Sequence, residues 1–92
     1  MFIVHIIAKG LVQGVFFRCL VKEYAQKNNI VGTVQNLSIT NKVEIFAQAT
    51  EDKIKNFINW LENSPGLSKI NRIEILEEKE NPRQQYYSFR IL

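Results

Sequence analysis

The stretch of this chain best equipped for chemistry is Gly10-Leu11-Val12-Gln13-Gly14-Val15-Phe16-Phe17-Arg18. Two glycines stand between an apolar strand pattern, Phe2 to Ala8, and a helical pattern that begins just beyond them with an arginine in its first turn. Glycine lets backbone close around a ligand without a Cβ in the way. The first N–H groups of a helix have no intrahelical acceptor and attract negative charge, and an arginine adds a planar fork that can grip an oxyanion through two parallel bonds. The predicted helix start carries no Ser, Thr, Asp or Asn as a cap, so a bound phosphate would satisfy donors that no side chain does. A glycine-rich passage from strand to helix can also be no more than a turn.

Residue order excludes two other ways of holding phosphate. A Walker-type loop has Lys and then Ser or Thr directly after its last glycine, whereas Gly14 is followed by Val15-Phe16. A thiolate phosphatase closes with arginine a loop that its cysteine has opened, whereas Cys19 comes after Arg18. Any phosphoryl chemistry here therefore runs without a covalent cysteine.

The elements that must position this stretch follow from periodicity. Phe2 to Ala8 alternates two faces that are both mostly apolar, which predicts a central strand, with the lone His5 as a structural residue on the face away from the helices. Phe17, Leu20, Val21, Tyr24 and Ala25 recur at helical spacing and predict a helix from Phe17 to Asn28, stopped by Asn28-Asn29, with Cys19 and Tyr24 as packing residues. Ile30 to Leu37 and Lys42 to Gln48 predict a hairpin whose turn, lacking glycine, puts Asn41 at positive φ. Thr50 should cap a second helix with Ile54, Phe57, Ile58 and Leu61 as its stripe, Trp60 beside it, and Asn63-Ser64-Pro65-Gly66 as its end. Ile70 to Leu76 reads as a fourth strand with Ile73 and Ile75 inward, residues 77 to 83 as a charged solvated loop, and Tyr86 to Leu92 as a closing strand with Tyr87, Phe89 and Ile91 on one face. This order predicts an α+β fold, the ferredoxin-like βαββαβ sandwich: an antiparallel sheet, two helices on one face and a short C-terminal strand.

At 92 residues, 46% hydrophobic and 23% charged, the chain is expected to form a single globular domain over residues 1–92. No apolar run is long enough for a membrane span and no basic leader precedes the first strand, so neither membrane nor signal peptide is expected. One cysteine cannot form an internal disulfide, which suits a cytoplasmic location. The net charge of +3 favours anionic partners without choosing among them.

The Gly10–Arg18 stretch closely resembles the first signature of the acylphosphatases, and Gly32-Thr33-Val34-Gln35-Asn36 resembles their second. The likeness extends over nearly the whole chain, including the Tyr86-x-x-Phe89 ending. The chain departs where an aromatic usually follows the second glycine, here Thr33; where the hairpin usually has a glycine; and where Ala49 replaces a usual glycine. The resemblance implies a small stand-alone acylphosphatase, with Arg18 and Asn36 catalytic and Gln13, Gly14, Val15, Phe16, Phe17 and Arg18 binding phosphate.

The residues agree with that implication. Phosphoryl hydrolysis needs a cradle for the equatorial oxygens, a water held in line and a departing group that can leave. The loop N–H groups and Arg18 can supply the cradle, and the Asn36 carboxamide can orient a water although it cannot take its proton at neutral pH. Neither motif contains His, Asp or Glu, hence no general acid or base and no metal ligand cluster. A carboxylate, whose conjugate acid has a pKa of about 4, departs without a proton. Mixed carboxylic-phosphoric anhydrides are therefore the expected substrates, with inorganic phosphate as product and sulfate as a mimic, and no cofactor, nucleic acid or membrane; a monomer is expected. The alternatives are a non-catalytic ferredoxin-like phosphate- or RNA-binding module and a domain of a larger carbamoyl-phosphate-handling maturation protein. The former would need strand aromatics beyond Phe2, His5 and Phe46, and the latter a partner domain or zinc motif beyond this sequence.

Overall fold

A computed structural model describes residues 1–13, 16–37, 41–66, 68–80 and 83–92. In chain order the elements are β1 (Phe2–Leu11), α1 (Phe17–Lys27), β2 (Val31–Asn36), β3 (Lys42–Ala49), α2 (Glu51–Glu62), β4 (Lys69–Glu80) and β5 (Phe89–Ile91). The strands lie in one sheet in the order β4-β1-β3-β2-β5. β1 pairs antiparallel with both β3 and β4, β2 pairs antiparallel with β3, and β5 joins β2 in parallel, so the sheet is mixed. This is the ferredoxin-like α+β arrangement, and β1 is central, as its two apolar faces require. No helix among the described residues is long and apolar enough to cross a membrane.

Both helices cover the same face. Val4, Ile6 and Ala8 of β1, Val34 of β2 and Val43, Ile45 and Ala47 of β3 form one buried cluster with Phe17, Val21 and Ala25 of α1 and Ile54, Phe57 and Leu61 of α2. Tyr24 and Trp60 stack across the two helices with ring centroids 4.3 Å apart. Helix α1 ends at its cap Asn28, and Asn29 and Asn41 both adopt positive φ, at 55° and 72°. Thr50 does occupy the N-cap of α2, but its side chain makes no capping bond; Glu51 and Asp52 in the first turn answer the dipole instead. Gly32 is required by close approach: at φ 149° a Cβ would lie 1.8 Å from the Phe46 carbonyl oxygen.

Three expectations are corrected. Residues 77–80 are not a solvated loop: β4 continues through them, with Glu77, Glu78, Lys79 and Glu80 opposite His5, Val4, Ile3 and Phe2. An edge strand can carry charge on its open side while its backbone is fully paired on the other. Register shifts break the alternation of β4, and Ile75 is left 44% exposed while Ile73 packs on the core. The closing strand is only Phe89–Ile91, and Tyr87 lies outside it and exposed.

The strand shortens because the chain must travel from the β4 edge of the sheet to the β5 edge, and that crossing consumes the residues before Phe89. Gln48, fully buried, fastens it: its Nε2 donates to the Arg83 carbonyl at 2.8 Å, and its Oε1 accepts from the N–H groups of Gln85 and Tyr86 at 2.8 and 3.3 Å. On the same open face His5 stacks on Phe46 at 4.1 Å and pairs through Nε2 with Glu44 Oε2 at 2.8 Å, while Gln35 donates to Glu44 Oε1 at 2.7 Å. His5 is thus structural, on the face away from the helices. Burial of Glu44 opposes its ionisation, but the hydrogen bonds from Gln35 and His5, with the His5 charge, outweigh burial and hold the carboxyl below its ordinary value of 4.5.

Gln48→Leu leaves those strap groups without partners and is expected to cost about 2–4 kcal/mol in urea denaturation; a cost under about 0.5 kcal/mol would show that the strap does not depend on Gln48. Because the folded pKa of Glu44 is lowered, its contribution is present above the unfolded value and lost as pH falls through the folded one. The stability difference between wild type and Glu44→Gln should therefore shrink when urea midpoints are compared at about pH 6 and about pH 3, and a difference that does not change with pH would contradict this.

Candidate active site

The site is built where β1 hands over to α1. Gly10 and Leu11 are the last residues of β1 rather than the start of the loop. Gly10, at φ 138°, lets β4 approach: a Cβ there would fall 2.0 Å from the Lys69 carbonyl oxygen. Its N–H donates to the Asn41 carbonyl at 2.9 Å, so it belongs to the sheet and not to an anion cradle. Val12 is buried and anchors the descent into the loop. Gly14 and Val15, two of the expected phosphate ligands, lie outside the described residues.

Helix α1 begins without side-chain help. Its N-cap is Phe16, left-handed at φ 58° and ψ 23°, with no side-chain capping bond and no acidic residue in the first turn. The first helical bond runs from the Leu20 N–H to the Phe16 carbonyl at 3.1 Å. The N–H groups of Phe17, Arg18 and Cys19 thus precede any i−4 acceptor within the helix. Phe17 turns into the core, Arg18 is half-buried, and Phe16 is 79% exposed. The Arg18 guanidinium forms no hydrogen bond or ion pair with another described residue. Cys19 is not a packing residue as expected; two positions beyond Phe17 it falls on the opposite side of the helix from the sheet and is exposed.

The Gln13 side chain is engaged by the hairpin. Its Nε2 donates to the Lys42 carbonyl at 3.0 Å and the Leu37 carbonyl at 3.4 Å, tying the loop across the mouth of the β2–β3 hairpin. Leu37 directly follows Asn36, the last residue of β2, so this clamp fastens the loop beside the strand end that carries Asn36. The Asn36 Oδ1 is buried and has no hydrogen-bond partner among the described residues. A buried acceptor in that state is costly unless something donates to it. Beside Arg18 lies a cavity of about 280 Å³ whose described walls are Val12, Phe16, Phe17, Arg18, Cys19 and Ile91. Nothing in the local sequence around Ile91 points to this position; only its place in β5, parallel to β2, brings it under α1. Among the described residues no cluster of His, Cys, Asp and Glu is arranged to hold a metal.

Known proteins resemble the chain in both sequence and fold. The acylphosphatase family model matches residues 4–91. An acylphosphatase of Legionella pneumophila is 37% identical over 84 residues, covering 90% of this chain and 87% of the relative. A probable carbamoyltransferase, HypF, of Methanocaldococcus jannaschii is 47% identical over 77 residues, 83% of this chain, but the match spans only 10% of that much longer protein. The crystal structure of an acylphosphatase from Bacillus subtilis superposes with a TM-score of 0.90 at 32% identity, covering 100% of this chain and 99% of the other.

If Gln13 is the clamp between loop and hairpin, Gln13→Ala should cost about 1–2 kcal/mol in urea denaturation. An unchanged midpoint would show that the loop is held by other means.

Proposed function

The chain belongs to the acylphosphatase family and hydrolyses acyl phosphates, and from that premise we propose that Arg18 and the N–H groups of the loop and of the first turn of α1 hold the phosphoryl group while Asn36 aims the attacking water. The observation that carries this reading is Arg18. A cation at the positive end of a helix is disfavoured by the dipole, and this one is half-buried with no carboxylate beside it among the described residues. A phosphoryl dianion placed there would be attracted by the guanidinium and the bare N–H groups together, turning two unfavourable features into one favourable site.

In this mechanism the fork of Arg18 engages two non-bridging oxygens, main-chain N–H groups engage the rest, and the charge that spreads over them in the transition state meets donors already in place. The Asn36 Oδ1 accepts a hydrogen bond from the water and directs its lone pair at phosphorus, opposite the bond to the carboxylate. The new O–P bond forms as the acyl-oxygen bond to phosphorus breaks. The carboxylate leaves with the electron pair and needs no proton, because its conjugate acid is strong. The water proton passes to a phosphoryl oxygen, so the products are a carboxylate and inorganic phosphate, and no protein acid or base is required.

A second reading is favoured by the 47% identity to part of a probable carbamoyltransferase: the acyl group handled is carbamoyl, and carbamoyl phosphate is a mixed anhydride of the same kind. Turnover of carbamoyl phosphate faster than that of other acyl phosphates would favour it. The RNA-binding alternative has less support, since His5 and Phe46, two of its candidate stacking residues, are stacked on each other.

Steady-state hydrolysis of benzoyl phosphate, with inhibition by inorganic phosphate, separates the two roles. Arg18→Ala should lose both turnover and phosphate inhibition, and Arg18→Lys should recover little, because a point charge cannot replace a fork. Asn36→Ala should lower kcat by roughly a hundredfold or more while phosphate still inhibits. Loss of phosphate affinity in Asn36→Ala with turnover intact would overturn the assignment.

A further inference from the structure

The cavity beside Arg18 is more apolar than a phosphate needs. Of its described walls, Val12, Phe16, Phe17 and Ile91 are hydrocarbon, Cys19 contributes a thiol, and Arg18 alone is charged. If Arg18 grips the phosphoryl group, the rest of the cavity faces whatever is attached to it. Resting on the function proposed above, we propose that this cavity is an acyl subsite, that it selects uncharged apolar acyl groups, and that Phe16 is its specificity-determining residue.

Two features of Phe16 support this. The residue is 79% exposed, so the hydrophobic core does not hold its ring in place. Its backbone is left-handed at φ 58°, a region that bulky residues seldom occupy and that tends to persist at ligand-binding sites. The consequence is an aromatic surface at the lip of the cavity, next in line to the first helical turn that carries Arg18. Ile91 of β5 lines the same cavity, held by the pairing of β5 with β2 and by the bond from the Leu92 N–H to the Val34 carbonyl at 2.9 Å.

At about 280 Å³ the space is small for a ligand pocket and suits one ring or a short branched chain rather than a nucleotide. An acyl group bearing a second phosphate or carboxylate would lose hydration against these walls, and the one cation there would already be committed. Carbamoyl, small and polar, would leave the apolar walls uncovered. An aromatic or branched acyl group would cover them and place its ring against Phe16.

The test is the ratio of kcat/KM for benzoyl phosphate to that for acetyl phosphate, in wild type, Phe16→Ala and Phe16→Tyr. The ratio should favour benzoyl in wild type, fall roughly threefold to tenfold in Phe16→Ala and be restored in Phe16→Tyr. A ratio in Phe16→Ala within about twofold of wild type, or one equally reduced in Phe16→Tyr, would overturn the subsite while leaving the hydrolysis reading intact. Wild type that hydrolyses neither acyl phosphate would overturn the hydrolysis reading, and the subsite with it. Calorimetric binding of phenylphosphonate against methylphosphonate reports the same preference without turnover and decides the matter if Phe16→Ala is inactive.

Discussion

A positive charge stands where a helix is already positive. Helix α1 starts at Phe16 with no side-chain cap and no acidic residue in its first turn, and the next residue but one is Arg18. Dipole and guanidinium repel, by about 0.3–1 kcal/mol in ordinary surface settings, and neither is relieved by a neighbouring carboxylate among the described residues. Such an arrangement persists only because the helix is held from behind. Phe17, Val21 and Ala25 are buried against the sheet, and Ile30, just past the helix, is buried with them. The hydrophobic core thus holds the start of α1 and Arg18 in place together, and an anion bound there, as proposed, would be attracted by both.

The same frame brings the hairpin to the loop. Gly10 donates to Asn41 and Gln13 to Leu37 and Lys42, so the end of β1 and the loop after it are tied to both sides of the hairpin where its strands meet the turn. That places a buried acceptor without a partner among the described residues, Asn36 Oδ1, at the end of the strand the clamp secures. The open face of the sheet works independently. There Gln48 fastens the strap, and His5, Glu44 and Gln35 bond to one another, on the side away from the helices. These groups and the proposed site therefore sit on different faces of the sheet.

Much of this is legible in the order of the residues. The two apolar faces of residues 2–8 mark a central strand, the stripe of Phe17, Val21 and Ala25 marks α1, and Asn41 takes the positive φ that a glycine-free turn needs. What stays hidden depends on partners far along the chain. Residues 77–80 are all charged, and only pairing with β1 makes them strand. Gln48 has the pattern of an outward polar residue, and only the returning strap buries it. Gly10 has the pattern of a ligand loop, but it is there to let the Lys69 carbonyl come near. Gln13 and Ile91 carry no local sign of a clamp or a cavity wall, because each meets its neighbours through a long-range pairing.

A site without its own acid or base restricts the reaction instead of driving every step of it. In the proposed mechanism charge recognition and water placement act at the reacting group and the departing carboxylate is left to its own stability, which would confine useful turnover to anhydride-like phosphates. The central claim is that the start of α1 and Arg18 form one anion site facing Asn36. The most direct measurement is a crystal structure of the wild-type protein with bound phosphate or sulfate. The account predicts the anion at the N-terminus of α1, with two of its oxygens on the Arg18 guanidinium and a water bridging it to Asn36 Oδ1. An anion bound elsewhere, with Arg18 turned to solvent and Asn36 remote from it, would contradict the account.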